Sequence, residues 1–83
     1  MKNGHYDEQE RGMLAKCKAL MLKDLEQRAL QDAVKGVRLE WEQRDGMIQR
    51  FIYIAESRDG REIRYSIDRE GNENTQEAGG MEA

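Results

Sequence analysis

Proline is absent from this chain of 83 residues, cysteine and histidine occur once each, and aromatic residues make up only 6%. Each scarcity excludes something. Without proline, no helix or strand is interrupted by a residue that lacks a backbone N–H. One cysteine cannot close an intramolecular disulfide, and no apolar run reaches signal-peptide or membrane length. A reducing, cytoplasmic setting and no membrane partner are therefore expected. A lone His5 and a lone Cys17 are too few for a zinc site. Cys17 reads as a buried structural thiol, because His5 lies outside the periodic region and has no orienting partner of its own. A Gly-rich phosphate loop, a nucleophile elbow and a metal-ligand spacing are all missing, and the chain is short for a sizeable cleft. These absences predict no enzyme, no cofactor and no metal.

Charged residues make up 37% of the chain. The apolar residues nevertheless gather in periodic patterns between Met13 and Ile67, so the middle of the chain is expected to fold as one domain. The expected organisation is a flexible amino end at 1–6, a single domain at 7–70 and a disordered acidic tail at 71–83. That tail holds three Glu, three Gly and two Asn with a single large apolar residue. Residues 7–35 balance six bases against six acids, and residues 36–70 carry seven bases and eight acids. A folded region this close to neutral argues against nonspecific nucleic-acid binding. All seven bases of the second region are Arg, whose rigid fork suits carboxylates, phosphates and aromatic faces.

Asp7 followed by Glu10 forms the pattern of a capping box, Gly36 supplies a stop, and the residues between them are good helix formers. A helix over about 8–35 is expected. A broad stripe of Leu14, Cys17, Met21, Leu22, Leu25, Ala29 and Ala33 should lie on a sheet, with a sparser seam of Met13, Leu20, Leu30 and Val34 elsewhere. A helix of that length, about 42 Å, would overhang its sheet.

After the helix, Arg44-Asp45-Gly46 recurs as Arg58-Asp59-Gly60, each between runs of alternating apolar and polar residues. Read as two three-residue hairpin loops, they predict a meander of strands near 37–43, 47–57 and 61–68. The whole is an α+β fold, one long N-terminal helix packed on a three-stranded antiparallel β-meander. The register predicts Trp41 opposite Gln49, Leu39 opposite Phe51, Val37 opposite Tyr53, and Tyr53 opposite Tyr65. Nearly every aromatic then lies on the helix side. The other side carries rows of Glu40, Arg50, Asp68 and of Arg38, Ile52, Ser66, with Ile54 beside Arg64 and Ile48 beside Glu42.

That outward side holds the candidate site. Ile48, Ile52 and Ile54 form an apolar stripe rimmed by Arg38, Arg50, Arg64 and Glu40, the expected anatomy of a protein-binding patch. Arg stems lying over a doubly apolar central strand explain the same pattern without a partner. Chains of this size that carry no chemistry commonly cover a surface on a larger protein. The expected function is a small non-enzymatic protein-binding module. In size and style, though by no family motif, it is comparable to accessory proteins of phages and mobile elements that inhibit a larger host protein or complex, anti-CRISPR and other anti-defence inhibitors among them. Two alternatives stand beside it. One is nucleic-acid binding through the Arg-bearing sheet, and the other is a structural homodimer.

Overall fold

Asp7 caps the helix as its sequence implies. Its carboxylate accepts the Glu10 backbone N–H at 2.7 Å, and the Glu10 carboxylate accepts the Asp7 N–H at 3.1 Å. In the computed structural model, which describes residues 6–79, helix α1 spans Glu8–Gln27 and is followed by a 3-10 turn at Gln31–Ala33. Four antiparallel strands follow, β1 (Val34–Arg44), β2 (Met47–Ser57), β3 (Arg61–Asp68) and β4 (Glu73–Gly79), in the spatial order β1-β2-β3-β4. The sheet therefore has four strands rather than three, and β4 occupies residues expected to be tail. Residues 1–5 and 80–83, which hold the rest of the expected flexible end and tail, lie outside the described residues.

The helix stops eight residues before the expected Lys35. Ala29 adopts φ 57°, the Leu30 N–H reaches the Leu25 carbonyl at 2.8 Å and the Ala29 N–H reaches the Glu26 carbonyl at 3.0 Å. This is a Schellman closure made without glycine. Gly36, the expected stop, lies instead within β1. The shorter helix, about 30 Å, no longer overhangs. Its contact row is Met13, Cys17, Met21 and Leu25, all buried, and it packs on the two central strands β2 and β3. Leu20, Leu30 and Val34 also pack against this core, whereas Leu22, assigned to the stripe, is 53% exposed. A row at four-residue spacing runs oblique to the helix axis, so residues that a helical wheel separates meet the same sheet.

The β2–β3 register is the expected one throughout, including Tyr53 opposite Tyr65 and Arg50 opposite Asp68. Gly60 takes φ 92° in the three-residue loop. Beside it, hydrogen bonds from Ser57 and Arg61 hold the Asp59 carboxyl down to about 2. The β1–β2 register differs. Asp45 and Gly46 both take positive φ, 53° and 78°, so the first loop is a two-residue turn closed by Arg44 and Met47. Trp41 lies opposite Phe51 rather than Gln49, and Leu39 opposite Tyr53 rather than Phe51. A register shift between Glu42 and Gln43 leaves Gln49 without an opposite partner. This β-bulge turns Ile48 onto the helix side.

The bulge is satisfied by one ion pair. Glu10 accepts the Ile48 N–H at 3.3 Å and Arg69 Nη2 at 2.8 Å, while Arg69 Nε donates to the Ile48 carbonyl at 2.7 Å. The Arg69 backbone N–H reaches the Gln49 carbonyl at 3.1 Å. Both side chains are nearly buried, at 11% and 12% exposure. Strand β4 is anchored by Glu77, which receives Arg28 at 2.8 Å and Arg61 at 3.4 Å. Arg28 in turn bridges Asp24, the acceptor of the Tyr65 hydroxyl at 2.7 Å.

Two substitutions test these joints. Arg69→Ala leaves Glu10 nearly buried without its counter-charge and should cost about 3 kcal/mol in a urea melt. Ala29→Gly relieves the left-handed alanine and should stabilise the fold by about 1 kcal/mol in the same measurement.

Candidate functional site

The outward face of the sheet brings together six of the seven residues expected there. Ile52, Ile54, Arg38, Arg50, Arg64 and Glu40 share it, but Ile48 does not: the bulge places it in the core at 6% exposure. The rows are shifted as well. Arg50 stands between Glu42 and Asp68, Ile52 between Glu40 and Ser66, and Ile54 between Arg38 and Arg64. Ile54 is fully buried and Ile52 is half-buried, so no continuous apolar stripe reaches solvent.

Arg38, Arg50 and Arg64 of this face are each matched to acids. Arg38 lies 3.4 Å from Glu40 and 3.2 Å from Glu62, Arg64 lies 3.4 Å from Glu62, and Arg50 lies 3.4 Å from Glu42. An open depression of about 210 Å³ crosses the face, lined chiefly by Glu42, Arg50, Ile52, Arg64, Asn74 and Gln76. Its lining is mostly polar, and its two guanidiniums already have carboxylate partners. Among the described residues, no three His, Cys, Asp or Glu side chains gather as a metal site, and no helix is long and apolar enough to cross a membrane. Cys17 is sealed in the core, its thiol 3.0 Å from the Tyr65 carbonyl and raised by burial. The Tyr65 hydroxyl is likewise pushed above the ordinary phenol range, by burial and by Asp24.

The exposed apolar surface lies on the other side, beside the helix. A helix with its side chains is about 10–12 Å across, while neighbouring strands stand about 4.8 Å apart. One helix therefore covers about two strands, and here it covers β2 and β3. The helix-side residues of β1 are left beyond its flank. Val37 is 47% and Trp41 48% exposed, with half-buried Leu39 between them. Alternation assigns these residues to the core side correctly, but no local pattern says which strands the helix lies across. Trp41 is consequently a surface residue.

Among the described residues the same strand is an edge of the sheet, paired only with β2. Between its two register shifts, Gly36–Glu42 runs as a regular strand with one side of its backbone unpaired among the described residues. The opposite edge, β4, is shorter and carries Glu73, Asn74, Gln76 and Glu77. Short polar edges resist pairing with another chain, whereas a long edge bearing apolar side chains is a template for it.

The two Ile residues of the outward face should separate in a truncation experiment. Ile54→Ala should cost about 2–4 kcal/mol, as a fully buried side chain does, and Ile52→Ala less than about 1.5 kcal/mol, both read from urea melts. Comparison of the chain with family models, with curated proteins and with solved structures finds no match.

Proposed function

We propose that this chain is a non-enzymatic protein-binding module that engages its partner along the β1 margin. The observation that carries this reading is a half-exposed Trp41 on an unpaired strand edge. Strand addition supplies affinity through main-chain hydrogen bonds, and side chains of one face supply specificity. Val37, Leu39 and Trp41 are the side chains in that position, and tryptophan is among the residues that most often dominate an interface. A module that binds in this way can inhibit a larger protein simply by covering its surface.

The outward face supports this function less well, because Ile48 and Ile54 are withdrawn from it and Ile52 is only half-exposed. Nucleic-acid recognition is also less favoured. Arg38, Arg50 and Arg64 each have a carboxylate within 3.4 Å, which leaves little positive field for a phosphate backbone.

The test compares Trp41→Glu with Ile52→Asp, both checked for an intact fold by circular dichroism. Proteins retained by the immobilised wild-type chain should bind Trp41→Glu about thirtyfold or more weakly, as loss of a central anchor does. They should bind Ile52→Asp nearly as well as wild type. The reverse order would move the contact to the outward face. Trp41 is the chain's single tryptophan, so its emission should also shift to the blue when the partner is added.

A further inference from the structure

Resting on the reading of β1 as a binding edge, we infer that the partner it fits is a second copy of this chain, paired antiparallel through β1 with Leu39 opposite Leu39 of the other copy. A two-fold axis perpendicular to the sheet relates two edge strands antiparallel, keeps both helices on one side, and makes every contact occur twice. Residues directly opposite then lie on the same face, so only registers centred on a residue are allowed.

The charges of β1 choose among these registers. Its outward side carries Arg38, Glu40, Glu42 and Arg44 in succession, and its helix side Val37, Leu39 and Trp41. Centring on Leu39 sets Arg38 opposite Glu40 in both rows and Val37 opposite Trp41 in both rows. The two central Leu39 side chains meet between them. Centring on Glu40 pairs Arg38 with Glu42 but sets Glu40 against itself at the two-fold axis, and centring on Val37 sets Arg38 opposite Gly36, Glu40 opposite Val34 and Leu39 opposite Lys35, joining no acid to a base. Centring on Trp41 sets Arg38 against Arg44 and Glu40 against Glu42, and centring on Arg38 or Glu42 again sets like charge on like charge. Opposite charges directly across a strand pair are favourable and like charges are not. The register centred on Leu39 thus joins acid to base and apolar to apolar at once, along the stretch Gly36–Glu42 that is free of register shifts. It also brings the exposed Val37 and Trp41 of each copy into the gap between the two helices, where they cover one another. The contact is small, so association in the range of about 10–100 µM is expected.

Charge reversal tests both the partner and the register. Sedimentation equilibrium of the wild-type chain should show a monomer–dimer equilibrium, and Trp41 emission should shift to the blue with concentration. Arg38→Glu and Glu40→Arg should each weaken dimerisation by about tenfold or more, since each places like charges in both rows. An equimolar mixture of the two variants should dimerise again. In one row of that mixture the two substituted positions face each other, and in the other the two native ones do, so each row again joins an acid to a base. Loss of the Arg38–Glu62 contact is common to Arg38→Glu alone and to the mixture, so recovery on mixing is not an effect on the fold. Hydrogen exchange of the wild-type chain gives a reading that needs no variant: protection should rise with concentration along Gly36–Glu42 and stay constant along Glu73–Gly79. A wild-type chain that stays monomeric at millimolar concentration overturns the inference of a second copy, while leaving the β1 edge to be judged by Trp41→Glu against another partner. A dimer that the charge reversals do not weaken, that mixing does not restore, or that protects Glu73–Gly79 instead overturns the register.

Discussion

The Glu10–Arg69 ion pair is the joint on which the rest of the architecture depends. Glu10 closes the first turn of α1 and receives the Ile48 N–H, while Arg69, just past β3, takes the Ile48 carbonyl with its guanidinium and the Gln49 carbonyl with its backbone N–H. One nearly buried pair thus joins the helix start, the β2 bulge and the exit from β3. Charges taken from water are stabilising only when their remaining hydrogen bonds are satisfied, and here the bulge supplies them. The bulge, in turn, would leave backbone groups unpaired without the pair. Each makes the other possible, and between them they set which side of the sheet Ile48 faces.

Much of this fold is legible in the amino-acid sequence. The capping box, the second hairpin, the β2–β3 pairing and the division of the aromatics onto the helix side all follow from local chemistry. The misses have physical causes. Arg44-Asp45-Gly46 and Arg58-Asp59-Gly60 are identical as tripeptides, yet Asp45 enters the left-handed region and makes a two-residue turn. The turn moves the register by one residue and the bulge by a second, and the combined shift of two preserves which face each β1 residue occupies, so the aromatics stay where alternation puts them. Only the bulge changes a face, and it changes it for Ile48. The helix end is hidden because alanine, a strong helix former, takes the left-handed position that usually advertises itself as glycine.

The candidate site follows the same division. Arg38, Glu40, Arg50 and Arg64 share a face as alternation requires, but alternation does not show how deeply Ile54 sinks between its Arg neighbours. Nor does it show Trp41 left beyond the flank of the helix, because that depends on the ratio of helix width to strand spacing rather than on any local motif. Strand β4 is the hardest element to read. Its residues are mostly polar and acidic, and what holds it is its ladder to β3 together with Glu77, set between Arg28 at the C-cap of α1 and Arg61 of β3. A negative segment looks like a solvated tail until its counter-charges are known to stand opposite.

That manner of attachment has a kinetic consequence. Strand β4 contributes no side chain to the apolar core, and beyond its hydrogen-bonded ladder to β3 it is held by surface ion pairs, which salt screens. It is thus the segment that can open without disturbing the packing beneath it. Each opening uncovers the backbone of β3, whose side chains Ile63, Tyr65 and Ile67 are buried. The lifetime of β4 on the sheet therefore meters how often the molecule shows a second edge, one whose apolar side chains are already seated in the core.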